Sequence, residues 1–225
     1  MSDLAGNPYA SIVELSKAYR NKSVSPSEVT KAQLARIDDL DTKLGSYQTI
    51  YSDEALAAAQ VADDAFTKDS RLGPFHGIPF ALKDIYELKG QITTCGSYEM
   101  RQRISTETGT VVRRLLEAGG ITIGKTKTVE CALGGWGTNE HMGTPWNPWD
   151  LKYPRVPGGS SSGSGVAVAS GMASCATGSD TGGSVRLPSA YCGLTGLKVS
   201  KACLPTDGIM PLSQTLDTPG PMTRN

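Results

Sequence analysis

Two glycine- and serine-rich stretches concentrate the residues of this chain that could attack or hold an electrophile. The first reads Gly158-Gly-Ser-Ser-Ser-Gly-Ser-Gly165 and the second Gly178-Ser-Asp-Thr-Gly-Gly-Ser184-Val-Arg186. The pair Gly182-Gly183 ahead of Ser184 can take up the positive-φ backbone that other residues resist. Ser184-Val-Arg-Leu-Pro then resembles the first turn of a helix, so several successive N–H groups would point into one small space. Such a space holds a phosphate or an oxyanion. The phosphate reading fails on register. No Lys-Ser or Lys-Thr follows these glycines as a P-loop requires, and Val168 stands where a dinucleotide fingerprint begun at Gly163-Ser-Gly165 needs its third glycine. The oxyanion reading calls for a nucleophile and a group to take its proton. His76 and His141 are the only histidines, neither in a recognisable setting, and the nucleophile-elbow pattern is not completed around Ser164 or Ser184. A hydrolase built from these parts needs another base. Lys83, inside the apolar run Phe80-Ala-Leu-Lys83-Asp84-Ile85, is the candidate, because a lysine buried in a strand must find partners or lose its proton.

The rest of the sequence reads as a scaffold for these groups. Ser11 with Glu14 has capping-box spacing, and Ile12, Leu15 and Tyr19 follow on one face. Ser25-Pro26-Ser27-Glu28 repeats the start signal, with Val29, Leu34, Ile37 and Leu40 along the next stripe. A third helix starts near Ser52 and runs through the alanine-rich stretch to Phe66. These helices are expected to cover a sheet and carry no chemistry. From Arg71 the character changes to turns, a short strand around Lys83, a helix over Val111 to Ala118 ended by Gly119-Gly120, and a strand over Ile121 to Gly124. That alternation predicts an α/β arrangement. Residues 134–165 read as a long loop, ordered by the bulk of Trp136, Trp146 and Trp149.

Composition narrows the class. The chain has 225 residues, 38% of them hydrophobic, and its 22 basic and 22 acidic residues cancel. No net field exists to drive binding to nucleic acid or an anionic membrane. No apolar run reaches the length of a spanning helix, and Met1-Ser-Asp-Leu-Ala-Gly does not open a secretion signal. The five cysteines, Cys95, Cys131, Cys175, Cys192 and Cys203, are odd in number and form no CxxC pair. They read as buried small residues in a reducing, cytoplasmic setting, with no metal site.

The block from Gly158 to Arg186 resembles the signature region of the amidase signature family of serine hydrolases. Gly77-Ile-Pro-Phe-Ala-Leu-Lys83-Asp resembles the family's lysine strand, and Thr93-Thr-Cys-Gly-Ser97 the segment after it. Gly124-Lys-Thr, Thr138-Asn139, Asn147-Pro-Trp, Cys192-Gly-Leu-Thr-Gly-Leu-Lys198 and Asp217-Thr-Pro-Gly-Pro-Met-Thr-Arg224 follow in the family's order. One position departs: Ser162 stands where the family's Gly-Gly-Ser-Ser-Gly-Gly pattern has a glycine.

The resemblance implies a Ser-cisSer-Lys triad. Ser184 is then the nucleophile, and Ser160, the first of the three candidates Ser160, Ser161 and Ser162, the bridging residue. Lys83 is the base, and the N–H groups of Thr181, Gly182, Gly183 and Ser184 form the oxyanion site. An ordinary lysine titrates near pH ~10.4, so a neutral base here requires a drop of roughly three units, or about 4 kcal/mol. Burial among Phe80, Leu82 and Ile85 could supply it, provided that Asp84 faces away. Asp180 and Arg186 read as an ion pair bracketing the nucleophile, and residues 132–135 as one wall of the acyl pocket. Each assignment has a structural competitor: Ser184 as a helix cap, Ser160 as turn chemistry, Lys83 as a strand-end charge reaching water.

The expected fold is α/β, a central mixed β-sheet covered by α-helices. It forms a single domain over 1–225, with 1–70 as helical cover and 71–225 as catalytic core, ending before the family's C-terminal part. No cofactor is expected. The expected partner is a small-molecule amide, with no direct nucleic-acid or membrane contact and a homo-oligomer left open. Three functions compete: an amidohydrolase of a small carboxamide or urea-like compound, the glutaminase subunit of a tRNA-dependent amidotransferase, or a non-catalytic fragment kept for binding or assembly.

Overall fold

The computed structural model describes residue 4 and residues 6–68 and 72–225. The expected boundary between residues 70 and 71 lies outside the described residues, as does most of the stretch read for a leader. In chain order the elements are α1 (Ile12–Arg20), α2 (Pro26–Leu44), β1 (Tyr47–Ile50), α3 (Ser52–Lys68), β2 (Pro79–Lys83), α4 (Thr110–Glu117), β3 (Ile121–Thr126), a 3₁₀ turn (Glu130–Ala132), α5 (Ser162–Ala169), β4 (Cys175–Asp180), α6 (Arg186–Cys192), β5 (Thr195–Gly196) and β6 (Thr218–Thr223).

Local chemistry starts the N-terminal helices. The Ser11 hydroxyl accepts the Glu14 amide while the Glu14 carboxylate accepts the Ser11 amide, and Ser25 and Glu28 repeat the exchange around Pro26. These reciprocal bonds satisfy N–H groups that a helix start otherwise leaves open.

Six strands form one mixed sheet in the order β1-β3-β2-β4-β6-β5. The centre is parallel, β2 pairing with β3 and with β4, while β1, β6 and β5 join antiparallel. Alternation sends Ala81, Ile123 and Ala176 toward α2 and α5, where Leu34, Ile37, Val166 and Val168 complete a buried cluster. Phe80, Leu82 and Cys175 pack with Val112 of α4, Tyr86 and Ile85 in a second cluster. The central strands are buried on both faces, the arrangement that crossover helices impose on parallel sheets.

Three readings of the sequence are corrected. The strand at Ile121 continues to Thr126, which brings Lys125 into the sheet. The loop after residue 134 gives way to α5 at Ser162; of its tryptophans Trp146 packs against the core, while Trp136 and Trp149 lie exposed. Polar bonds also tie that loop down: Asn147 Nδ2 donates to the Tyr191 carbonyl at 2.9 Å, and Trp149 Nε1 to that of Cys192 at 2.9 Å. Cys95, Cys175 and Cys192 are buried thiols, but Cys131 and Cys203 are exposed.

Candidate active site

The site forms where β2 and β4 end side by side. Parallel neighbours carry their C-terminal ends to the same edge, and Lys83 and Asp180 are the last residues of the two strands. The Lys83 amide donates to Thr177 Oγ1 at 3.0 Å, locking the end of β2 to β4. Its side chain is fully buried, and Nζ donates to Ser160 Oγ and to Ser179 Oγ, each at 2.8 Å. Burial pushes this amine down to about 7, against the opposing pull of Asp180, Asp217 and Cys95. Asp84 points elsewhere. Its carboxylate accepts from the Thr94 amide and hydroxyl and pairs with Lys125 Nζ at 3.4 Å.

Ser160 is held by backbone geometry. The Gly159–Ser160 peptide is cis. The Ser160 carbonyl accepts from the Val129 amide at 3.1 Å and from Thr128 Oγ1 at 2.9 Å. The Gly159 amide donates to the Gly135 carbonyl at 2.7 Å. A Cβ at Gly159 would lie 2.7 Å from both Gly134 O and Gly137 N, backbone atoms that cannot swing aside. Gly159→Ala is therefore expected to cost about 1–3 kcal/mol and to pull Ser160 off the amine. A denaturant melt and the rate of Ser184 modification would read the two effects. A variant as stable and as reactive as the parent would contradict the packing.

Of the three serines in the run, Ser160 alone bonds Lys83. Ser161 serves the scaffold: its amide donates to the Ser184 carbonyl at 3.4 Å, and its hydroxyl accepts the Ser179 amide at 3.3 Å. Ser162 opens α5, with its buried hydroxyl unpartnered.

Ser184 follows Gly183, whose φ of +140° is open to glycine and resisted by other residues. The loop is bracketed by Asp180, which receives Arg186 through Nε at 3.0 Å and Nη2 at 2.9 Å. The same carboxylate also accepts the Val185 and Arg186 amides at 3.2 and 3.3 Å. Burial pulls this carboxyl upward, but Arg186 and the two amides outweigh it and hold the group below its ordinary range. Among the described residues, the N–H groups of Thr181, Gly182, Gly183 and Ser184 donate to no group of the chain. A cavity of about 500 Å³ opens beside Ser179 and Thr181. Of residues 132–135 only Ala132 lines it; most of the remaining lining comes from residues 206–212, 214 and 217–219.

The sequence reading passed over Ser179, Thr177 and Thr128. Thr177 and Ser179 alternate along β4, a period-2 polar pattern that could have been found had Cys175–Asp180 been read as a strand. Among the described residues no cluster of three His, Cys, Asp or Glu side chains could hold a metal ion.

The profile of the family described as Amidase matches residues 28–225. A glutamyl-tRNA(Gln) amidotransferase subunit from Geobacter sulfurreducens is 42% identical over 212 residues, covering 94% of this chain and 43% of that protein. The native peptide amidase from Stenotrophomonas maltophilia superposes with a TM-score of 0.89 at 36% identity, over 96% of this chain and 45% of its own. A fatty acid amide hydrolase superposes with a TM-score of 0.91 at 28% identity, over 100% of this chain and 40% of its own. The chain thus spans less than half the length of these relatives. The family profile covers most of the chain, from residue 28 to residue 225, and the chain belongs to the amidase family.

Proposed function

We propose that this chain carries the catalytic core of an amidohydrolase that cleaves the carbon–nitrogen bond of a small carboxamide or urea-like substrate through a serine acyl-enzyme. Ser184 Oγ attacks the carbonyl carbon, its proton passes to Ser160, and the Ser160 proton passes to neutral Lys83. The developing oxyanion takes hydrogen bonds from the free amides of residues 181–184, donors already in place before charge appears. The relay then runs backward: Lys83 returns its proton through Ser160 to the departing nitrogen as the carbon–nitrogen bond breaks. A water molecule, deprotonated along the same path, splits the acyl ester and restores Ser184. The single observation carrying this reading is the fully buried Lys83 amine at 2.8 Å from Ser160 Oγ. A charged amine there could only donate; a neutral one can accept the proton that the chemistry releases. A reducing, cytoplasmic setting accords with five unpaired cysteines.

The test is covalent. A fluorophosphonate is expected to label the wild-type protein on Ser184 and to leave Ser184→Ala unlabelled, while an amide panel read by ammonia release identifies the substrate class. An unlabelled wild-type protein that releases no ammonia would overturn the free-standing amidohydrolase reading. The 42% identity to an amidotransferase component supports a second reading, a glutaminase that works with partner subunits. Glutamine-dependent ammonia transfer by a co-purified complex would select it over the free-standing enzyme.

A further inference from the structure

The segment Asp217-Thr-Pro-Gly-Pro-Met-Thr-Arg224 contributes β6 to the sheet, but its first residue has no part in the relay proposed above. The Asp217 carboxylate faces back toward the nucleophile loop. Oδ1 accepts from Thr181 Oγ1 and from the Ser213 amide at 3.0 Å. Oδ2 accepts from the Leu212 and Ser213 amides, each at 2.9 Å. Among the described residues no cation reaches this carboxylate. Lys201 Nζ donates instead to the backbone carbonyls of Gln214 and of Asp217 itself. Asp180, one residue before Thr181, is by contrast neutralised by Arg186. The two carboxylates hold opposite ends of one loop: Asp180 fixes Val185 and Arg186 behind Ser184, and Asp217 fixes Thr181 ahead of it. Asp217, Thr181 and Leu212 also line the 500 Å³ cavity.

We propose that Asp217 is a positioning residue for the Ser184 loop, clamping Thr181 to residues 212 and 213 and thereby fixing the backbone that carries the free amides of 182–184. The proposal rests on the reading of Ser184 as the nucleophile. It has an electrostatic consequence that a packing role lacks. Lys83 faces Asp180, which Arg186 ion-pairs, Asp217, which takes hydrogen bonds but no ion pair among the described residues, the Cys95 thiol, and the neutral hydroxyls of Ser160, Ser179 and Thr177. Removing the Asp217 charge makes the protonated amine less favourable, so the base is set free at lower pH.

The experiment measures the rate of fluorophosphonate labelling of Ser184 from pH 5.5 to 9 in wild type, Asp217→Asn and Asp217→Ala. At pH 8 the alanine variant is expected to label at least about tenfold more slowly, with asparagine, which keeps one acceptor, in between. In both variants the midpoint of the acidic limb is expected to move down by roughly half a unit. Slower labelling with an unmoved limb would assign Asp217 to packing alone and overturn the proposal, as would wild-type rates in both variants. If wild type itself resists labelling, the nucleophile reading fails, and amide hydrogen exchange decides the clamp separately. Faster exchange at Leu212 and Ser213 in Asp217→Asn supports the clamp; unchanged exchange there overturns it.

Discussion

Lys83→Met is expected to lower amide turnover by about 1000-fold or more and to remove the acidic limb of the rate profile near pH 7. Methionine keeps the length of the buried side chain but accepts no proton, so in the proposed relay Ser160 would have nowhere to pass the one it takes from Ser184. The same substitution should change how stability depends on pH, and the direction follows from the depressed pKa. In the folded chain the amine titrates at about 7; unfolded, it returns to about 10.4. Between those values the unfolded chain holds the extra proton, so folding becomes more favourable as pH rises, by about 1.4 kcal/mol per unit. Below 7 both states are protonated and the penalty is flat. Urea melts of wild type and Lys83→Met at pH 7, 8 and 9 would isolate this contribution, because the buried Lys125 is common to both proteins. Wild type should gain on the variant across that range. Parallel stability profiles would mean that the amine is not held neutral, and the relay would lose its base.

Asp84→Ala is expected to cost about 3–5 kcal/mol, because it strands a buried amine. The two side chains of this pair are 0% and 1% exposed, which decides the case, since an exposed pair would count for little. Burial drives the Asp84 carboxyl up and the Lys125 amine down, each opposed chiefly by the other's charge. Without Asp84, Lys125 Nζ retains only neutral acceptors: the Tyr86 carbonyl at 2.7 Å, Thr93 Oγ1 at 2.7 Å and the Ile92 carbonyl at 3.5 Å. Those bonds hold the chain immediately after β2, so the loss should also loosen the seat of Lys83. Replacing both partners by apolar residues of similar size should recover much of the stability. Equilibrium denaturation of the single and double variants measures both effects. A loss under about 1 kcal/mol in Asp84→Ala would show that the pair does not anchor the loop.

Helices α1 to α4 and the lysine strand were legible in the sequence because their signals are local. Ser11, Ser25 and Pro26 announce helix starts through bonds closed within four residues, and the apolar run around Lys83 has strand length. β4 and β6 were not legible. β4 is built of Cys, Ala, Thr, Gly, Ser and Asp, small and polar residues among which Thr177 alone carries the β-branched or aromatic signature of strands. β6 carries Pro219 and Pro221, which argue against a strand inside a sheet. The structure resolves the conflict by orientation. Pro221 turns its carbonyl to the Leu197 amide, away from β4, so its missing N–H also falls on the side where the two-residue β5 asks little of it. The lysine's partners show the same divide. Resemblance to a family pointed to Ser160, whereas Ser179 needed the pairing of β2 with β4, a contact no window of sequence contains.

Lys83 meets its hydroxyl partners across sequence separations of 77 and 96 residues. In a nascent or unravelled polypeptide the amine is wet and fully protonated, and the serines are ordinary alcohols. On the proposed mechanism such a chain could not be acylated. Chemical competence would then arrive only with completed tertiary structure, and damage that opens the interior would silence the molecule instead of turning it loose on bystander amides.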